Sequence, residues 1–214
     1  MPRAKRLYVP GYVWHLTHRC HNRDYLLKFE RDRQRWRQWL FEARKRYGLV
    51  VLNYIVTSNH VHLLVQDRKK NCIARSMQLI AGRVAQEYNQ RKSRRGAFWE
   101  DRYFATAVAT DHHLARCLVY IDLNMVRAGV VKHPSEWKVS GFHEIQVPRQ
   151  RYRIINIEAL CQLMCVSSPE SLRRKHQRLI RQELISGKMA RQPYWSENSA
   201  VGPEEFISQF VPKN

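Results

Sequence analysis

Two short apolar runs, residues 50–56 (VVLNYIV) and 61–65 (VHLLV), are separated only by TSNH. Both are rich in β-branched residues and bounded by polar ones, so both read as strands with at least one buried face. At the start of the second run stand His60, Val61 and His62, the first of them the last residue of the TSNH joint. On a strand, residues two apart leave the same face, so the two imidazoles emerge together while Val61 and Leu63 enter the core. Two neutral imidazoles side by side at the edge of a sheet make half of a divalent-metal site. The spacing alone allows two readings, a metal pair or two satisfied or exposed histidines, because a chain with 10 His in 214 residues produces His-x-His readily by chance.

The charge narrows the partners. The chain has 38 Lys+Arg against 18 Asp+Glu, a formal net charge of +20. Arginine predominates over lysine, which favours bidentate contact with phosphates and stacking on bases. An anionic polymer, with nucleic acid first, is the expected partner; charge cannot separate DNA from RNA, or a nuclease from a passive binder. A hydrophobic content of 44% suffices for a buried core, and the length suits one sizeable domain or a core domain with an appendage. Cys20, Cys72, Cys117, Cys161 and Cys165 form no zinc-ribbon spacing. Cys161 and Cys165, four apart in a helical pattern, read as two buried small side chains. No apolar run reaches the ~18 residues of a membrane span, and residues 1–6 lead into no signal-peptide core. A reduced, cytoplasmic protein without a membrane partner is expected.

Taken in order, residues 12–20 (YVWHLTHRC) alternate as a first strand, with His15, Thr17 and Arg19 on one face and Trp14, Leu16 and His18 on the other. His21, Asn22 and Arg23 form a polar exit. Residues 30–47 have Trp36, Leu40, Ala43 and Tyr47 at helical spacing, an arginine-dense opposite face, and Gly48 as C′ residue. That basic face reads either as a solvated helix surface or as a nucleic-acid contact. Residues 71–92 are a second helix with Ile73, Met77, Ile80, Val84 and Tyr88 inside. Residues 103–108 are a fourth strand, and Thr110-Asp111 offers an N-cap for a third helix over 112–128, with Gly129 beyond its end. Strand-helix-strand twice over predicts an α+β fold, a ferredoxin-like (RRM-like) antiparallel sheet with helices. The sheet's other face is then open to a nucleic-acid strand or a catalytic helix, and its first and third strands are adjacent at the centre.

The chain divides into a core, residues 1–140, and a small helical basic C-terminal extension, residues 141–214. Residues 134–148 are irregular, 157–164 a short helix, and Ser168-Pro169-Glu170 starts another that ends near Gly187. Two helices across a tight turn allow a helix-turn-helix reader or simply two packed helices. Trp195, Phe206 and Phe210, in polar surroundings, allow an arm folded back on the core.

The third helix carries the chemistry. Its apolar stripe is Leu114, Leu118, Ile121 and Met125, and His113, Arg116, Tyr120, Asn124 and Arg127 form a polar stripe on the flank. Tyr120 and Asn124, four apart, lie one above the other and can act on one site. Read alone, they are an amphipathic boundary residue and a solvated amide.

Together with the histidine pair they form a specific pattern. The segment NHVHLLV (59–65) resembles the His-hydrophobic-His motif of HUH endonucleases, and YIDLNMVRAG (120–129) resembles the catalytic-tyrosine helix of single-tyrosine transposases. WEDRY (99–103) is similar to the family's segment before the fourth strand. More narrowly, the chain resembles REP-associated tyrosine transposases and their insertion-sequence-200-like relatives, over about residues 10–140. It differs in having Thr57-Ser58 where the family often has Met-Pro, and Met125 where it usually has Pro; neither position bears a reacting atom.

The resemblance implies a metal-dependent single-stranded DNA endonuclease and strand transferase. Tyr120 would be the nucleophile, giving a 5′-phosphotyrosine and a free 3′-OH beside a hairpin. His60, His62 and the Asn124 amide oxygen would hold Mg²⁺ or Mn²⁺, a strong Lewis acid in a neutral ligand set. Arg116 and Arg127 would help to favour the phenolate, whose ordinary pKa is near 10. Arg19, Asn22, Arg23 and Arg102, with Arg116 and Arg127, are the candidate contacts to single-stranded or hairpin DNA. Two rivals remain at this stage: an RRM-like binding module without chemistry, which requires aromatic residues on an exposed sheet face, and a phosphodiesterase using water, in which Tyr120 is dispensable. The sequence leaves monomer and homodimer open.

Overall fold

A computed structural model describes residues 11–110, 112–187 and 190–210. The expectations for residues 1–6 and for Asp111 as a cap lie outside these. The first seven elements follow the predicted order: β1 (Val13–Arg19), α1 (Glu30–Tyr47), β2 (Val50–Val56), β3 (His60–Gln66), α2 (Cys72–Arg91), β4 (Phe104–Val108) and α3 (His112–Asp122). The sheet runs β2-β3-β1-β4 with every pair antiparallel, so β1 and β3 are adjacent at its centre as expected. The register sets Thr17 opposite His62 and Arg19 opposite His60.

Both faces of the sheet are buried. On one face Leu16, Val61, Leu63 and Tyr54 meet α1 and α2, whose inner residues Trp36, Leu40, Ile80 and Val84 are almost wholly buried. Gly48 closes α1 at φ 70, a left-handed conformation that costs glycine little. β2 is apolar at nearly every position because it is covered on both sides; a register shift between Val51 and Asn53 turns Asn53 toward α3.

The opposite face is not open. It is roofed by α3 and by the extension: Phe104 at the start of β4 stays exposed, but His15, Thr17 and His62 on this face are buried, so the open aromatic sheet face an RRM-like binder needs is not formed among the described residues. Beyond α3 come α4 (Asn124–Arg127), α5 (Phe142–Gln146), α6 (Ile157–Leu163), α7 (Pro169–Ser186), α8 (Tyr194–Glu197), β5 (Ala200–Val201) and α9 (Glu204–Ser208). β5 adds to the sheet parallel to β4, and Phe210 packs edge-on against Tyr12 and Trp14. Trp195 is fully buried. The arm is thus folded back, and it completes the sheet.

Three local expectations are corrected. The third helix is not continuous over 112–128: it breaks at Leu123 (φ −83, ψ 6), between α3 and α4. The apolar stripe hides this break because it continues across it through Ile121 and Met125. Cys165 is exposed, since α6 ends at Leu163 and Cys165 turns out with φ 52. The stretch 134–148, expected to be irregular, contains α5 and a 3-10 turn at Pro134–Glu136. All five cysteines are free. No helix among the described residues is long and apolar enough to cross a membrane.

Candidate active site

Where β1, β3 and the α3–α4 break meet, a cleft of about 230 Å³ is lined by Thr17, Arg19, His60, His62, Tyr120 and Asn124, with Arg127 and Arg191 at its sides. The strand period delivers Thr17, Arg19, His60 and His62 to one face. The helix delivers Tyr120 just before its break and Asn124 just after. The Tyr120 ring stands edge-on to His62 at 5.8 Å and tilts against Trp195 at 5.9 Å. The Asn124 amide nitrogen is 3.0 Å from His62 Nε2.

The imidazoles are neutral. Burial lowers His60 to about 4, helped by Arg19 and Arg191. Burial likewise takes His62 well below the usual range, with His60 and His15 adding repulsion. His60 also has a defined tautomer. The Thr57 hydroxyl donates to the His60 carbonyl at 2.8 Å, so toward His60 Nδ1, 3.0 Å away, it can only accept. The Asn59 amide oxygen lies 2.7 Å from the same nitrogen. His60 Nδ1 therefore carries the proton and Nε2 is bare.

This donor set fits a divalent cation. Neutral imidazoles with a bare nitrogen are metal ligands, and an amide oxygen is a hard neutral one. No three His, Cys, Asp or Glu side chains among the described residues converge as a metal group, so a cation at this pair would need a third ligand of another type; Asn124 adjoins the pair and could serve with its amide turned oxygen-inward, since here its nitrogen faces His62 Nε2.

The phenol of Tyr120 is raised above its ordinary value by burial, against the opposing pull of Arg127 and Arg191. Arg127 lies 4.0 Å from the ring centroid and donates to the Tyr120 carbonyl. The expectation that neighbouring arginines favour the phenolate is therefore met in direction but outweighed by burial. Arg116, expected to share that role, is turned away, with its guanidinium 2.9 Å from the Tyr194 hydroxyl.

Of the expected DNA contacts, Arg19 and Arg127 line the cleft. Asn22 and Arg23 sit in a tight turn at the end of β1, both at positive φ, with the Arg23 carbonyl bound by Asn59. Arg102 is exposed in the loop before β4, outside the cleft. Arg191, absent from the sequence reading, reaches the cleft from the extension; no local period marks it.

The family model described as Transposase IS200 like matches residues 8–124, a span that holds His60, His62, Tyr120 and Asn124. Among solved structures, the chain is similar to a REP-associated tyrosine transposase bound to a REP hairpin, with a TM-score of 0.57 and 21% identity over 72% of this chain and 90% of that one. A candidate transposase from Deinococcus radiodurans R1, solved at 1.90 Å, has a TM-score of 0.40 and 20% identity over 56% of this chain and 95% of that one. No protein of curated function matches the chain.

Proposed function

The chain belongs to the IS200-like transposase family, and on that footing we propose that it nicks and rejoins single-stranded DNA beside a hairpin, with Tyr120 as the nucleophile. The observation that carries this reading is that one basic cleft gathers a tyrosine, two neutral imidazoles and an amide from two stretches of the chain some sixty residues apart.

A phosphodiester resists attack because its oxygens are anionic and its leaving alkoxide is unstable. Arg19, Arg127 and Arg191 present fixed positive charge where that phosphate would enter, offsetting the charge that grows in the transition state. His60, His62 and Asn124 would hold Mg²⁺ or Mn²⁺, which, when bound, polarises the phosphate and stabilises the leaving oxygen. Tyr120 Oη forms the new bond to phosphorus as the bond to O3′ breaks. Its proton is lost and one is gained at O3′, so the 5′-phosphotyrosine retains the energy of the original linkage. A free 3′-OH from another end can then reverse the step. Because the attacked phosphate would have to enter between the sheet and α3, a single-stranded substrate is favoured. Asn22, Arg23 and Arg102, outside the cleft, are proposed to hold the flanking strand.

The test is a labelled oligonucleotide carrying a hairpin and a single-stranded flank, incubated with protein and Mn²⁺. A covalent adduct is expected with wild type and none with Tyr120→Phe, whose fold and DNA affinity stay nearly intact. Nicking without an adduct, retained by Tyr120→Phe, would instead select the water-using phosphodiesterase.

A further inference from the structure

Behind the cleft, His62 is not held by a carboxylate. Its Nδ1 lies 2.9 Å from Nε2 of His15, the ring stacked on it at 5.0 Å. His15 Nδ1 in turn lies 2.8 Å from the backbone carbonyl of Trp195, 180 residues away. His15 is wholly buried and meets no solvent.

We propose that His15 is a positioning residue: it relays a hydrogen-bond direction from the Trp195 carbonyl to His62 and holds His62 with its bare Nε2 toward the cleft. The direction follows from the fixed end. A carbonyl cannot donate, so His15 Nδ1 carries the proton. A neutral imidazole has one donor and one acceptor, so His15 Nε2 accepts. His62 Nδ1 must then donate, which leaves His62 Nε2 unprotonated. On the other side of the ring Asn124 Nδ2 lies 3.0 Å from that same Nε2, the arrangement of an amide donor facing a lone pair. Thr17 Oγ1, at 3.4 Å from His62 Nδ1, is a longer and weaker alternative acceptor.

The carbonyl is itself anchored. The Thr106 hydroxyl of β4 donates at 2.8 Å to the Asn198 carbonyl and sits 3.2 Å from that of Trp195, and the Trp195 indole donates to Gln192 at 2.8 Å. The extension thereby fixes the orientation of a group in the core without touching substrate. Outer-shell partners that fix a ligand imidazole typically matter by 10–100-fold in metal affinity. The consequence for metal rests on the proposed function; the tautomer does not.

The experiment separates the two. Full-length protein with ¹⁵N-labelled histidine, freed of metal by chelator, is studied by long-range ¹H–¹⁵N correlation, with His62 assigned by its loss in His62→Gln. The expected pattern is Nδ1 protonated and Nε2 bare for both His15 and His62. A His62 protonated at Nε2 overturns the relay. In His15→Leu the His62 signal should become a mixture of tautomers and Mn²⁺ affinity should fall about 10–100-fold. His15→Gln, which keeps an acceptor, should recover most of both. Folded His15→Leu with unchanged tautomer and Mn²⁺ affinity also overturns the proposal. If wild type shows the expected tautomers yet binds no Mn²⁺, the relay stands and the metal reading of the cleft falls.

Discussion

At Tyr120 burial and charge pull in opposite directions. The pocket that shields the phenol raises it, while Arg127 and Arg191 lower it. Replacing Arg127 with Leu removes the nearer cation, so the phenolate becomes rarer. The alkaline rise of the cleavage rate should move to higher pH, with a loss of roughly tenfold at neutral pH. Were Arg127 only a phosphate contact, the rate would fall equally at every pH. The metal ligands are tested at the same scale: His60→Ala or His62→Ala should abolish Mn²⁺-dependent cleavage and Mn²⁺ binding. Full activity in chelator would remove the metal from the mechanism. His15 adds a stability prediction for metal-free protein. Burial lowers it to about 4 in the folded chain against 6.5 when unfolded, so the unfolded chain binds the extra proton between those values. Stability should fall as pH drops from 6.5 toward 4, by about 3 kcal/mol from this residue, read as a fall in Tm that is smaller in His15→Gln, with the remainder coming from His60 and His62. The pairing of His60 with His62, and of Tyr120 with Asn124, was legible from strand and helix periods. The partner of His15 was not, because a contact across 180 residues leaves no local pattern.

Among the elements, the α3–α4 break is held by a buried polar network. Asp122 ends α3; one carboxylate oxygen accepts from Asn53 at 3.0 Å and the other lies 2.7 Å from His176 Nε2 on α7. Gln146 of α5 reaches His176 Nδ1 at 2.6 Å. All of Asp122, Asn53 and His176 are buried. Taking away one partner strands a buried charge, so His176→Leu should cost about 3–5 kcal/mol in denaturant unfolding. A loss under about 1 kcal/mol, the scale of exposed pairs, would mean the network contributes little. Gly141 belongs to the same structure: a Cβ there would collide with the Asn53 amide oxygen and come within 2.8 Å of the Ile155 side chain. The helix stripe in the sequence gave no sign of the break, since apolar spacing continues through it; its cause is polar and tertiary. The basic face of α1 was equally ambiguous. In the fold Arg35 pairs with Glu87 and Arg91 of α2 with Asp32, while Arg33 lies 4.5 Å over the Trp137 ring. Part of that charge, Arg35 included, is engaged within the protein, so Arg35→Ala should affect DNA affinity less than Arg19→Ala, as measured by titration with the hairpin oligonucleotide.

On the scale of the whole molecule, a net charge of +20 still requires that DNA affinity fall steeply with salt. A flat response from low to moderate ionic strength would detach binding from the basic surface. The fold of the first 130 residues followed from alternation and helical stripes, which are local signals. The role of residues 141–214 did not, because Trp195, β5 and Phe210 act by where they end up. We accordingly treat the division at residue 140 as a functional proposal: the core carries the reacting groups and the extension orients them. A chain ending at residue 140 would lack β5 and the Trp195 carbonyl, and should lose Mn²⁺ binding even if it retains a cooperative unfolding transition. There is also a matter of timing. β1, β3 and α3 are all synthesised well before Trp195, and the bond from His15 to its carbonyl closes one of the longest loops in the protein. A chain still emerging from the ribosome holds every reacting side chain but has His15 without its distant partner. The contact that sets His15 can therefore form only after the segment carrying Trp195 has been made and has folded back onto β1.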